Sequence, residues 1–167
     1  MNVLVLSDSH GNCGNLNEAF TRCRDCDLAV FLGDGLNDFY SVSAGFNMMT
    51  AEVRGNCDLF AAGVPETRVL DLEGFRILIT HGHRFGVKYG FDALIKEALV
   101  KNCDMVLFGH THQKTELRVQ TGKDDKKLIL FNPGSISSSY GEKPSFGRIN
   151  LKQKGDSFFA LCSHGEL

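Results

Sequence analysis

Short apolar runs alternate with segments of helical periodicity in the first third of the chain. The apolar run Asn2–Leu6 precedes residues 15–24, in which apolar side chains recur at helical spacing. Further apolar runs at residues 27–32 and 49–53 flank a second helical segment at residues 38–46. Strands joined by helices in this order predict βαβ units and a largely parallel sheet.

The rest of the chain changes to a pattern typical of antiparallel strands. Glu73 and Gly74 separate two strand-like segments, and an amphipathic helix is predicted at residues 91–100. The strands expected here are residues 67–72, 75–80, 104–108, 115–120, 127–131, 147–152 and 157–161. We therefore expect two mixed sheets packed face to face with helices outside, as a single domain over residues 1–167.

Composition excludes several classes of function. The chain has 18 lysines and arginines against 20 aspartates and glutamates and no basic run, which argues against a long nucleic acid as partner. No apolar stretch approaches the ~20 residues of a membrane span, and no signal peptide is visible, so a cytoplasmic protein without a membrane partner is expected. The six cysteines are expected to be thiols, and the lone pair Cys23 and Cys26 lacks the second ligand pair of a zinc site.

Five polar clusters directly follow predicted strands. They are Asp8-Ser9-His10, Gly33-Asp34, Gly55-Asn56-Cys57-Asp58, Thr80-His81-Gly82-His83 and Gly109-His110-Thr111-His112. Strand ends in an α/β sheet converge on one edge, so residues far apart in sequence are expected to meet in one cleft. Imidazole mixed with carboxylate and amide favours transition metals over magnesium or calcium. Seven such ligands are too many for one catalytic ion and suit two ions about 3.5–4 Å apart.

The order DSH, GD, GNCD, THGH and GHTH resembles the calcineurin-like metallophosphoesterases. The length and the GNCD variant are similar to the small phosphodiesterases of the YfcE type, which are related to the retromer subunit Vps29. The resemblance covers essentially the whole chain and implies a four-layer α/β/β/α sandwich. It also implies a phosphoesterase, most of all a phosphodiesterase, in which a hydroxide bridging two metals attacks phosphorus in line with the leaving oxygen.

The resemblance assigns a role to each cluster. Asp8, His10 and His112 would hold the first metal, Asn56, His81 and His110 the second, and Asp34 both. Asp58 would accept the free N–H of a histidine ligand, and Asn12, Cys57 and His83 would contact the substrate. Two divalent transition metal ions are implied, with manganese ranked first and iron, nickel, cobalt and zinc as alternatives.

Cys57 departs from the histidine that many relatives of this family have in the GNxD motif. A thiol is a poorer proton donor to a leaving group, so small diesters and activated esters are expected to react better than alkyl monoesters. The Asn132-Pro133-Gly134-Ser135 loop has two open interpretations, a tight turn or a set of phosphate donors.

Other functions are weighed against the enzyme. A Vps29-like scaffold that binds proteins is the alternative from another class, and a phosphomonoesterase is the alternative chemistry. Every ligand position of the family is filled here, which favours the enzyme. A homodimer is expected only from the general frequency of symmetric oligomers.

Overall fold

Three parallel strands and two helices form the first half of the fold in the computed structural model. The structure describes residues 1–122, 127–138, 141–155 and 157–167. The first elements are β1 (Asn2–Leu6), α1 (Cys13–Arg22), β2 (Leu28–Phe31), α2 (Leu36–Ser43) and β3 (Met49–Glu52). Strand β1 pairs in parallel with β2, and β2 with β3, so the predicted βαβ units are confirmed.

The second half supplies a second sheet and completes the first. Its elements are β4 (Thr67–Leu72), β5 (Phe75–Thr80), α3 (Asp92–Val100), β6 (Met105–Phe108), β7 (Lys114–Gln120), β8 (Lys127–Pro133), β9 (Ser145–Lys154) and β10 (Ser157–Glu166). The two five-stranded sheets have the orders β10-β9-β1-β2-β3 and β4-β5-β6-β8-β7. Each sheet mixes parallel and antiparallel pairs, as the sequence predicts.

Successive side chains of each central strand pack against different layers of the fold. Val3 and Val5 of β1 face the core between the two sheets, whereas Leu4 and Leu6 face helices α1 and α2. In the second sheet, Ile77 and Ile79 of β5 face the same central core. The next residue, Leu78, faces α3. Because side chains alternate across a strand, both sheets are covered on both faces. The four-layer α/β/β/α sandwich is therefore confirmed.

The two sheets are oriented so that loops from both of them meet. The parallel strands β1 and β2 of one sheet and β5 and β6 of the other each lead directly into a polar cluster. Within the part of the chain that the structure describes, no helix is long and apolar enough to cross a bilayer.

Candidate metal centre

Backbone hydrogen bonds join the loops that follow the parallel strands. The Asp8 N–H donates to the Gly33 carbonyl at 3.0 Å, which ties the β1 loop to the β2 loop. The Gly109 N–H donates to the His81 carbonyl at 3.1 Å and does the same for the β6 and β5 loops. The predicted clusters therefore share one edge of the molecule.

Asp8, His10 and His112 form the first group of candidate ligands. One side-chain atom from each lies within 4.8 Å of the others. The His112 Nε2 is 3.1 Å from Asp8 Oδ1, and the His10 Nε2 is 3.7 Å from the same oxygen. The two Nε2 atoms are 3.4 Å apart. Two imidazoles and a carboxylate thus point at one small volume.

Asp34, His81 and His110 form the second group, which adjoins the first. The His81 Nε2 is 3.3 Å from Asp34 Oδ2 and 3.2 Å from His110 Nδ1. The His81 Nδ1 donates to the Leu32 carbonyl at 2.8 Å, which leaves the Nε2 lone pair facing the group. Asp34 Oδ2 also lies 4.0 Å from His10 Nε2, so this carboxylate stands between the two groups.

Asp8 shows that the site suits a cation. Its side chain is fully buried, and Oδ1 accepts no hydrogen bond among the described residues. Its Oδ2 is fixed by the Ser7 hydroxyl at 2.5 Å and by the His110 N–H at 3.1 Å. A buried carboxylate oxygen without a donor is costly, and a metal ion satisfies it. The residues present therefore fit the metal that the motifs predict.

Charges within the site shift the pKa values of its groups in opposite directions. Burial by itself would raise the pKa of Asp8, but His10 and His112 hold it well below its usual range. Burial likewise opposes the effect of His81 on Asp34, whose pKa falls to about 2. Burial and the charge of His81 lower the pKa of His110 to about 4. Both carboxylates are thus ionised at neutral pH and available to a cation.

Asp58 contacts backbone amides between two loops, and its expected role of orienting a histidine ligand stays a prediction. Its carboxylate accepts four backbone N–H groups, those of Asp34 at 2.7 Å, Gly35 and Leu36 at 2.9 Å each, and Gly55 at 2.8 Å. The side chain therefore joins the loops that follow β2 and β3. Its effect on the site is to hold the backbone of Asp34.

Asn56 and Cys57 lie on the β3 loop beside the second group. The Cys57 N–H donates to Asp34 Oδ1 at 2.7 Å, and its Sγ lies within 4.8 Å of ligand atoms of His10 and Asp34. Partial burial and the Asp34 carboxylate raise the pKa of Cys57 to about 11, so the thiol is neutral. The Asn56 Nδ2 is 3.3 Å from the Cys57 Sγ. Cys57 thus lies beside His10 and Asp34, while the metal-binding role of Asn56 and the substrate contact of Cys57 stay predictions.

His83 lies at the rim of the site. Its ring centroid is 5.4 Å from that of His81 and 6.1 Å from that of His110. Burial, followed by the charge of His81, lowers the pKa of His83. The nearest charged partner is Glu66, whose Oε1 is 4.0 Å from His83 Nε2. A substrate contact by His83 remains a prediction.

The other expected substrate contacts are engaged inside the protein. The Asn12 side chain caps α1 by accepting the Asn15 N–H at 3.0 Å. The Ser135 hydroxyl donates to the Asp8 carbonyl at 2.9 Å, and the Gly134 N–H donates to Asn132 Oδ1 at 2.9 Å. The donors of Gly134 and Ser135 are thus engaged within the protein, which disfavours the phosphate-binding interpretation, and Pro133 is the last residue of β8 rather than part of a turn. The substrate role of Asn12 stays a prediction.

Ser7 and Asn132 support the ligands, a role that the sequence analysis did not give to either residue. Ser7 is buried and donates to Asp8. Asn132 Nδ2 donates to the Gly109 carbonyl at 2.9 Å and to the Thr111 hydroxyl at 3.0 Å, which fixes the loop of His110 and His112. The position of Ser7 next to a metal-binding aspartate was the available signal. Asn132 had none, because the chain separates it from its partners.

Known proteins are similar to this chain in sequence and in fold. Residues 1–154 match the profile of the calcineurin-like phosphoesterase superfamily domain. The chain is 35% identical to the phosphodiesterase YfcE of Escherichia coli K12 over 176 aligned positions, which cover 90% of this chain and 88% of that protein.

Solved structures agree with the sequence match. A predicted phosphoesterase of Streptococcus pneumoniae TIGR4 has a TM-score of 0.72 and 26% identity, with 97% of both chains covered. The Zn²⁺ complex of Vps29 from Entamoeba histolytica has a TM-score of 0.70 at 22% identity, with 99% of both chains covered, and that likeness concerns the fold alone. With its motifs in the order of the family, its two sheets and its clustered donors, this chain belongs to the calcineurin-like phosphoesterase superfamily.

Proposed function

We propose that this protein is a phosphodiesterase that uses two divalent transition metal ions. The observation that carries the proposal is the pair of adjoining ligand groups around Asp8 and Asp34, with a buried Asp8 oxygen that accepts no hydrogen bond from the described residues. Membership of a phosphoesterase family and the similarity to YfcE of E. coli support the reaction class.

Each group supplies a distinct set of donors. Asp8, His10 and His112 would hold one ion, and His81, His110 and the Asn56 amide the other. Asp34 would contact both, because its Oδ2 faces His81 on one side and His10 on the other. Mixed imidazole and carboxylate donors suit a divalent transition metal, and we expect manganese, with iron, nickel, cobalt or zinc as alternatives.

Hydrogen bonds within the protein hold the candidate ligands in position before a substrate binds. Ions bound there would lower the pKa of water and neutralise charge on the phosphoryl oxygens. Leu32 fixes the ring of His81, and Ser7 fixes the carboxylate of Asp8, so neither ligand has to reorganise.

The neutral thiol of Cys57 has consequences for the substrate. With a pKa of about 11, it cannot act as a base at neutral pH, and a thiol is a weak proton donor to an alkoxide. A leaving group that needs no proton is therefore favoured. This supports small diesters and activated esters over alkyl monoesters.

Hydrolysis of bis(p-nitrophenyl) phosphate and of the p-nitrophenyl monoester tests the proposal. Chelator-stripped protein would be assayed with manganese, nickel, cobalt, zinc or magnesium added back. We expect the metal to restore diester cleavage above monoester cleavage. Asp34→Ala should lose at least about 100-fold in turnover, since losing even an outer partner of a metal ligand costs 10–100-fold. Asp71→Ala, which removes an exposed carboxylate, is the control.

Three results would contradict parts of the proposal. A monoester preference would make the protein a phosphomonoesterase. Full manganese-dependent turnover by Asp34→Ala would refute the role of Asp34. No turnover from protein shown to bind two ions would favour the scaffold that Vps29-like proteins represent.

A further inference from the structure

A cavity of about 240 Å³ opens beside the candidate metal ligands. His10 and Asp34 line one part of it, and Leu59, Phe60 and Ala61 line another. A substrate whose phosphoryl group reached the ligands would place one ester group against this wall.

The apolar wall belongs to a loop that is held in place. The Ala61 N–H donates to the Asp58 carbonyl at 3.1 Å, and the Val64 N–H donates to the Ala61 carbonyl at 2.9 Å. Ala61 and Val64 pack against the core beneath α1 and α2. Phe60 and Leu59 nevertheless have 98% and 76% of their surface exposed. An anchored loop thus presents two large apolar side chains, and covering them with an apolar group is favourable.

The charges around the cavity exclude a second anion. The described residues that line it include no lysine or arginine but three carboxylates, those of Asp34, Asp38 and Asp58. Asp38 Oδ2 accepts the Ser9 hydroxyl and the Gly11 N–H, both at 2.7 Å. Asp58 accepts four amides, so neither carboxylate needs a ligand. Because Asp34 would be balanced by the metal ions, the fixed negative charges that remain are those of Asp38 and Asp58, and they disfavour an ester group that carries its own phosphate or carboxylate.

We propose that this cavity binds an uncharged aromatic ester group of the substrate, with Phe60 as its stacking platform. The inference rests on the proposed function, because the metal ligands must hold the phosphoryl group for the ester group to reach the wall. The volume suits one ring, since a cavity of about 150 Å³ in another protein admits benzene. Aryl and nucleoside esters without further phosphates are the substrate class that meets these conditions.

Calorimetric titration of manganese-loaded protein with phosphonates tests the proposal without turnover. Phenylphosphonate and methylphosphonate carry the same anionic group, and only the first has a ring for the cavity. We expect wild-type protein to bind phenylphosphonate about fivefold more tightly, the scale of an aromatic pair. Phe60→Ala should bring the two affinities within about twofold of each other, because Leu59 and Ala61, which remain of the apolar wall, have no ring to stack on.

Two controls isolate the cause. Phe159→Ala removes an exposed ring of β10 that does not line the cavity, and it should keep the wild-type preference. The compound 4-carboxyphenylphosphonate carries a second anion, and it should bind no better than methylphosphonate.

The outcomes separate this proposal from the proposed function. Equal binding of the phenyl and methyl compounds by wild-type protein, or an undiminished preference in Phe60→Ala, would overturn the assignment of the cavity even if diesters are hydrolysed. Tight binding of the carboxyphenyl compound would overturn the charge argument and with it the substrate class. A phenyl preference that Phe60→Ala abolishes, in protein without turnover, would support the cavity while refuting the enzyme.

Discussion

Five of the candidate ligands have a backbone conformation that side chains other than glycine seldom adopt. Asp8, His10, Asp34, His110 and His112 all have positive φ, between 44° and 66°. Each such residue costs on the order of 1–2 kcal/mol, although aspartate and histidine tolerate the conformation better than most. The cost persists because surrounding hydrogen bonds fix these loops, and it aims neighbouring side chains at one point.

A pH dependence follows for metal-free protein. Asp8 raises the pKa of His10, and Asp34 and Asp8 raise that of His81 although burial opposes them. A raised histidine pKa stabilises the folded chain below the ordinary value of about 6.5, and that contribution is lost as the pH rises through the raised values.

The melting temperature of chelator-stripped protein should therefore fall as the pH increases from about 6.5. Manganese should stabilise more at the higher pH, because its ligands must be deprotonated. Thermal unfolding at a series of pH values above about 6.5, with and without manganese, would measure both effects. If the melting temperature of the stripped protein did not change with pH, the carboxylates would not raise the pKa values of His10 and His81 in the folded chain.

Cys57→Ala is expected to have a small effect on turnover. The thiol is protonated at neutral pH, and a true acid or base contributes 10²–10⁴-fold, so a loss below about tenfold is expected. Steady-state rates with bis(p-nitrophenyl) phosphate and the metal content of the variant should be measured together. A loss of bound metal would instead make the Sγ a ligand, in keeping with its distance to His10 and Asp34.

At the scale of elements, the loops after the strands fit together with almost no free space. A methyl group on Gly109 would clash with the Ser7 Oγ and come within 2.9 Å of Asp8 Oδ2. Gly109→Ala would therefore push the loop after β6 away from the loop after β1. The cost of overpacking is about 1–3 kcal/mol.

Gly109→Ala should lower the melting temperature and weaken manganese binding at least about tenfold, by disturbing Ser7 and Asp8. Gly63→Ala is the matched control, since nothing lies within 4 Å of its added methyl group. Calorimetry and thermal melts on both variants make the comparison. Wild-type metal affinity in Gly109→Ala would mean that the Ser7–Asp8 contact is dispensable.

The observed bounds of some elements differ from the predicted bounds, because a residue distant in sequence or a capping side chain extends the element. Helix α1 begins at Cys13, two residues before its predicted start, because Asn12 caps it. Strands β9 and β10 extend to Ser145–Lys154 and Ser157–Glu166, beyond the predicted 147–152 and 157–161. Their antiparallel pairing continues over residues whose own sequence has no clear alternation.

For the whole molecule, bound metal should be a large contribution to stability. Asp8 and Asp34 place two buried, ionised carboxylates on neighbouring loops after β1 and β2, and a cation relieves their repulsion. Binding to the folded state alone adds about 2.7 kcal/mol at 100 times Kd. Chelation, with metal loss verified, should therefore lower the melting temperature by several degrees. An unchanged melting temperature would refute this coupling.

Most of the fold was predictable because its signals are local. Apolar runs, helical spacing and the Glu73-Gly74 turn lie within a few residues of one another, and the two-sheet sandwich followed from them. That residues 1–167 form one domain, and that a homodimer forms, both stay predictions. The partner of Asp58 was not predictable, since the amides of Gly35 and Leu36 are presented to it only by the packed loops.

The sequence by itself determined the strand and helix segments, the order of the motifs and the kinds of ligand atom, because composition and spacing carry that information. Only the tertiary structure decided which groups meet: Asp8 Oδ1 with the rings of His10 and His112, His81 with the Leu32 carbonyl, and the metal ligands with the cavity beside Phe60. Most of these contacts join residues tens of positions apart. Their geometry depends on how the two sheets pack, which no local pattern encodes.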